Sequence, residues 1–291
     1  MIIMPYYNVN AITEDGEVVS VAVAYSPEEI ENRKKRKQAQ EEYENKMQYR
    51  KIANKENGEF VFLIYNISEA LAFGIQPATL TRLIYLSTYM GFDNRLRLTD
   101  VTSMQQKDIK DVLKISQSTY ERFMEEVLEK KIIFKDEKER LYLDARFFFR
   151  GSVPKEIKNS FDKNVIKVYY NSVRQIYEKA KVTEHARLSY LFQMIPFVNI
   201  QYNMLCHNPL ETEMKYVKAM TLPEYCSIVG YSPENAHKLK SFLKKVLLDD
   251  IPVFSFVDNN YGLFCYVNPN IFYVGNSEDK VEILKSFKKE N

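Results

Sequence analysis

Apolar and polar positions divide the chain into stretches of different period. Residues 1–25 alternate, with Asp15-Gly16 between two β-prone runs, Ile2 to Ile12 and Val18 to Tyr25. That pattern predicts a β-hairpin closed by a tight turn. Ser26-Pro27-Glu28-Glu29 follows as a helix N-cap, a proline at the first helical position and acids in the first turn. The next stretch, to residue 58, is almost wholly polar. Arg33, Lys34, Lys35, Arg36 and Lys37 precede Glu41, Glu42 and Glu44, and Ile30, Tyr43 and Met47 are too sparse for a core stripe. It reads as a solvated charged helix or arm. Beyond it, Phe62 to Phe73 reads as a helix. Lys163 to Lys181 reads as a longer one, with Val165, Ile166, Tyr169, Val173, Ile176 and Tyr177 on one stripe, and it can join two domains across Ser152-Val153-Pro154.

The body contains an internal repeat. Leu80-Thr81-Arg82-Leu83-Ile84-Tyr85-Leu86 matches Leu188-Ser189-Tyr190-Leu191-Phe192-Gln193-Met194 in apolar character. Ile109, Leu113, Ile115, Ser116 and Phe123 match Tyr225, Val229, Tyr231, Ser232 and Leu239. Phe147-Phe148-Phe149-Arg150-Gly151 matches Ile271-Phe272-Tyr273-Val274-Gly275. The spacing between paired anchors widens along the chain, as two loop insertions in the second copy would make it. Each copy spells the same order: an apolar helix (77–90, 185–199), a short helix (104–113, 221–229), a short turn, and a further helix (117–130, 233–247). Ser116 and Ser232 stand where they can cap the last helix, and Ile115 and Tyr231 are apolar residues inside the turns. Two β-prone runs around a polar turn close each copy: Ile132 to Phe134 with Leu141 to Leu143, and Val253 to Val257 with Leu263 to Val267. Helix, turn, helix and hairpin in that order predict a winged helix-turn-helix, twice.

Faces then separate the copies. With Ala236, Leu239 and Leu243 buried, His237, Lys238, Ser241, Lys244 and Lys245 fall on or near the opposite side of the second copy's last helix. Lysines there suit phosphates, and serine or histidine can donate to base edges. In the first copy the equivalent face carries Glu121, Glu125 and Glu129, which repel a phosphate backbone. Only Gln117, Ser118, Thr119 and Arg122 suit a groove. The acids can instead meet a protein partner or a second copy of the chain. Arg33 to Lys37 form a candidate phosphate-binding arm. For the lysines, the acids and the arm alike, a merely solvated helix face is the competing reading.

Composition narrows the chemistry. The formal net charge is +2 over 291 residues, which excludes a polycation of histone type. Apolar residues are 45% and charged residues 27%, as in a globular protein. The 8 glycines are too scattered to write a dinucleotide or P-loop motif. Cys206, Cys226 and Cys265 are far apart and read as free buried thiols, and no apolar run is long enough for a membrane helix. The first residues lack a signal-peptide pattern, so the expectation is cytoplasmic. His185, His207 and His237 form no ligand set with cysteines, and no hydrolase or metalloprotease motif occurs. The reading is of no enzyme, no cofactor and no metal.

Lys107 to Phe123, Leu141-Tyr142-Leu143, Phe148-Phe149-Arg150-Gly151, Tyr202 to Pro209, Met220 to Cys226 and Asn268-Pro269-Asn270-Ile271 also carry a resemblance. Over residues 75–275 the chain resembles a group of helix-turn-helix proteins of phages and plasmids of low-GC Gram-positive bacteria. The resemblance implies DNA binding. The tandem layout is similar to plasmid replication initiators, which pair two winged helices on iterated repeats. The expectation is therefore a mainly α fold with small β-wings (α+β), made of two tandem, pseudo-duplicated winged helix-turn-helix domains. Its segments are a hairpin at 1–25, a charged helical arm at 26–58, domains at 59–153 and 154–276, and a basic tail at 277–291. The expected function is sequence-specific binding of double-stranded DNA in transcriptional control of a mobile element. The alternatives are a replication initiator and a protein–protein adaptor.

Overall fold

The computed structural model describes residues 6–24, 26–40, 60–64, 74–150, 165–260 and 262–273, with Ile283 and Phe287. The fold is mixed α+β, and the chain divides into two compact units, residues 1–55 and 56–291.

In the first unit, β1 (Tyr6–Ile12) and β2 (Val18–Ala24) pair antiparallel from Tyr6↔Ala24 to Ile12↔Val18. Gly16, at φ +82°, supplies the left-handed residue of the turn, and its N–H donates to the Thr13 carbonyl at 2.9 Å. Helix α1 (27–40) starts with a reciprocal capping box. The Ser26 N–H donates to the Glu29 carboxylate at 2.8 Å, and the Glu29 N–H donates to Ser26 Oγ at 3.2 Å. The remainder of the expected arm, 41–58, lies outside the described residues, as does the Ser152-Val153-Pro154 junction.

The second unit is organised around a four-stranded antiparallel sheet of order β12-β7-β3-β6, formed by β3 (Phe60–Ile64), β6 (Phe148–Phe149), β7 (Val165–Tyr169) and β12 (Phe272–Tyr273). Two helical expectations are corrected here. Phe60–Ile64 is a strand, where a helix was expected from Phe62; residues 65–73 lie outside the described residues. The single helix expected over 163–181 is strand β7 followed at once by α5 (Tyr170–Lys179). The physical reason is pairing. Val165-Ile166-Lys167-Val168-Tyr169 is rich in β-branched residues, which pack well in strands, and it finds partners on both edges.

The register of this sheet is symmetric. β3 and β7 pair from Phe60↔Tyr169 to Ile64↔Val165, centred on Phe62↔Lys167. Exchanging β3 with β7 and β6 with β12 about that centre converts Phe62↔Phe149 into Lys167↔Tyr273, and Leu63↔Phe148 into Val168↔Phe272. All four pairs are present. The helices follow the same arrangement. α2 (Pro77–Ser87) packs most extensively on α6 (His185–Gln193), and the Thr81 hydroxyl donates to the His185 carbonyl at 2.8 Å. Both helices feed one core, with Leu80, Leu83, Ile84, Leu188, Leu191 and Phe192 at 2% exposure or less. Each such side chain contributes roughly 1.5–3 kcal/mol.

On either side of this centre the same hydrogen bonds recur. The Leu96 N–H donates to Leu141 O, and the Leu205 N–H to Cys265 O. The Leu143 N–H donates to Asn94 O, and the Val267 N–H to Asn203 O. Asn94 and Asn203 both have positive φ, and each returns an amide N–H to the carbonyl of that same partner strand. In the first half, α3 (Gln106–Leu113) ends on Lys114 at φ +53° and leads through buried Ile115 into α4 (Gln117–Glu129). In the second, α7 (Leu222–Ile228) ends near Gly230 at φ +71°, followed by Tyr231, edge-on to Tyr190, and then α8 (Ala236–Leu243). Hairpins β4/β5 (Ile133–Lys135, Leu141–Leu143) and β10/β11 (Phe254–Asn259, Gly262–Val267) close the halves, with a two-residue-strand hairpin β8/β9 (Leu247–Leu248, Ile251–Pro252) added in the second. Of the expected basic tail, Phe287 is buried.

Candidate nucleic-acid interface

Helix α8 buries Ala236, Leu239 and Leu243 and exposes His237, Lys238, Ser241, Lys244 and Lys245. It is shorter than expected. Pro233–Asn235 form a 3-10 turn, and the helix proper begins at Ala236. Ser232 makes no side-chain cap, because that turn intervenes. Lys244 and Lys245 consequently lie just past the last helical residue, near the negative end of the helix dipole.

Two local hydrogen bonds alter what this face offers. The Ser241 hydroxyl donates to the His237 carbonyl at 2.9 Å, so Ser241 presents lone pairs outward rather than the donor first expected. His237 Nδ1 lies 3.0 Å from the Glu234 carbonyl. A carbonyl only accepts, so Nδ1 carries the proton and Nε2 is the ring's remaining polar atom. Lys240, which the helical-face argument passed over, reaches Asp258 of β10 at 3.4 Å and lies 5.8 Å from the Phe256 ring centre. It ties α8 to the hairpin beside it. Nothing in the sequence beyond its place beside Leu239 on the helix points to that role. The β10/β11 hairpin contains no lysine or arginine, so the cations beside it on this surface are those of the helix and its end.

In the first half, Ser116 caps α4 by accepting from the Thr119 N–H at 3.4 Å. Gln117, Ser118 and Arg122 are exposed and Thr119 is half-buried. Gln117 donates to Glu121 at 2.9 Å and the Arg122 Nε donates to the Ser118 carbonyl at 3.2 Å, so both are partly engaged within the helix. Glu121, Glu125 and Glu129 form an exposed acidic stripe. Glu126 differs from them: it accepts from the Gln76 N–H at 2.6 Å and from the Thr79 hydroxyl, binding α4 to the start of α2. The hairpin β4/β5 turns through Asp136, whose carboxyl the Arg140 side chain holds down at about 2. Lys138 at its tip is exposed.

Arg33, Lys34, Lys35, Arg36 and Lys37 all lie exposed on α1, with Lys35 paired to Glu31 at 2.8 Å.

The three cysteines are buried, and burial raises each thiol above its ordinary value, which makes them poor nucleophiles. His185 is buried against Tyr177, with ring centres 4.4 Å apart. Burial, and then the nearby Arg82 guanidinium, hold it down at about 4. Among the described residues no group of histidines, cysteines and carboxylates is placed to hold a metal ion, and no helix is long and apolar enough to cross a membrane. Comparison of the chain with known family models, with curated proteins and with solved structures finds no match.

Proposed function

We propose that the two halves of the second unit are duplicated winged helix-turn-helix modules, and that the protein binds double-stranded DNA sequence-specifically and without catalysis. The role that fits best is a transcriptional regulator of a phage or plasmid. One observation carries this reading: α8 is anchored in the core along one side and presents His237, Lys238 and Ser241 on the other, with Lys244 and Lys245 exposed just past its end. A helix that is preceded by a short turned helix and followed by a hairpin, with cations outward, matches what a major groove accepts. The recurring hydrogen bonds of the two halves support the duplication.

The halves are unequal readers. α8 supplies lysines. α4 supplies a groove-compatible first turn, Gln117-Ser118-Thr119 with Arg122, ahead of an acidic stripe. The symmetric register of the sheet favours a second reading, an initiator bound to repeated origin sites, because one chain then carries two readers in a two-fold relation. The exposed stripe Glu121, Glu125 and Glu129 favours a third role, docking of a basic protein partner or a second copy.

The test is binding to native-locus fragments at two salt concentrations. Lys238→Glu combined with Lys245→Glu should weaken binding at least tenfold and flatten the salt dependence by about one phosphate per lysine, with little change in Tm. Unchanged affinity in the double variant removes α8 as the reader.

A further inference from the structure

A second polar surface lies where the halves meet, and no residue of α4 or α8 lines it. It is an open cleft of about 550 Å³ between the loop that follows α2 and the first turns of α5. Three arginines line it: Arg97 from the loop, Arg150 from just past β6, and Arg174 from α5. Two of them are interleaved with rings. The Arg150 guanidinium carbon is 4.4 Å from the Phe92 ring centre and 5.3 Å from that of Tyr170; Arg174 is 5.9 Å from Tyr170 and 4.3 Å from Tyr89. The result is a ladder, Phe92–Arg150–Tyr170–Arg174–Tyr89.

On its inner side the ladder closes the end of α2. Arg174 donates to Thr88 Oγ1 at 2.9 Å and to the Thr88 carbonyl at 2.7 Å, and Arg150 and Tyr170 both donate to the Met90 carbonyl. Those bonds hold the guanidinium planes in place and use only part of the Arg174 donor set. Across the cleft, Arg97 donates to the Asp93 carboxylate at 2.8 Å and to the Asp100 carbonyl at 2.8 Å. Among the described residues that line the cleft, Asp93 and Asp100 are the only carboxylates, against three arginines. The outermost rung, Phe92, is 73% exposed, a large apolar ring standing in solvent beside fixed positive charge.

Capping α2 does not require this arrangement. The register that matches Asn94 with Asn203 and Leu96 with Leu205 puts Gln201 and Cys206 where the first half has Phe92 and Arg97, and Cys206 is fully buried. The matching positions of the second half therefore carry different residues, and the cleft is not a by-product of the shared scaffold.

We propose that this cleft binds a nucleotide unit, its phosphate on Arg97, Arg150 and Arg174 and its base stacked on Phe92. Guanidinium groups suit phosphate oxygens, and an exposed ring accepts any base face. The unit can come from a single strand of nucleic acid or from a free nucleotide. The site does not depend on how α8 reads a duplex.

The experiment titrates the full chain, at low salt, with fluorescein-labelled oligo(dT) of about ten nucleotides, and separately with dTMP by calorimetry. Phe92→Ala removes an exposed ring and should lower affinity about tenfold. Asp100→Lys leaves the backbone carbonyl in place and should raise affinity about threefold, a gain that misfolding cannot produce. Binding of oligo(dT) without dTMP identifies a strand as the source, and saturation by dTMP identifies a free nucleotide. Lys238→Glu with Lys245→Glu should leave either signal intact, which separates this site from the duplex reader. Absence of binding by both probes, or binding indifferent to both Phe92→Ala and Asp100→Lys, overturns the proposal.

Discussion

At the scale of single residues, the interior of the second unit holds polar groups whose states follow from their surroundings. His185 is 1% exposed, lies against Tyr177 and near Arg82, and its Nδ1 has no hydrogen-bond partner among the described residues. A charged imidazole there faces both desolvation and a like charge, so the ring stays neutral in the fold. In the unfolded chain it protonates near 6.5. The unfolded state thus binds the proton first. Stability is complete above about 6.5 and is lost as pH falls from there through about 4. Urea midpoints measured from pH 7 to 4.5 should decline in the parent and decline less in His185→Phe. Equal slopes for the two proteins would show that another group governs this range.

The elements illustrate how one pattern yields different surfaces. α4 and α8 each follow a short helix and a turn containing a left-handed residue, Lys114 or Gly230. Yet α4 starts directly on a serine cap, whereas α8 is preceded by a 3-10 turn that displaces Ser232 from the helix. Their buried sides are equivalent: Phe123 and Val127 in α4, Leu239 and Leu243 in α8, all at 1% exposure or less. Leu239→Asp places an unpaired charge in that interface and should destabilise the second half by roughly 4 kcal/mol or more. Loss of α8 helicity and a large fall in the denaturant midpoint are the expected signs. A normal midpoint would mean that the buried side of α8 lies elsewhere, and with it the outward lysines.

At the scale of the whole second unit, the halves are coupled through the central β3–β7 pair and the α2–α6 packing. Val168 pairs with Val61 on one side and Phe272 on the other and is 1% exposed. Val168→Pro removes a backbone donor from the middle of the sheet. Both halves should then lose stability together, with probes in α2 and α6 reporting one coincident, lowered transition. An unchanged transition in the first half would make the halves independent. Much of the local layout was legible in the chain. The N-terminal hairpin, the Ser26 cap, the short helix, turn and following helix of each half and both closing hairpins follow from periodicity, turn residues and caps that act within a few residues. The outward placement of His237, Lys238 and Ser241 follows from the same period, since Ala236, Leu239 and Leu243 take the buried side; Lys244 and Lys245 are exposed in the turn that ends the helix. The four-stranded sheet was not legible. Val165 to Tyr169 carries apolar residues that fit a helical stripe as well as a strand, and only the arrival of β3 and β12 on its two edges decides between them. Nor was the arginine cleft, whose members Phe92, Arg97, Arg150 and Arg174 come from three separate parts of the chain. Short-range patterning determined which segments are helices, turns and hairpins. Tertiary pairing alone decided the strands at the centre and the charges gathered between the halves, because hydrogen bonds and packing between distant segments leave no periodic mark on either partner.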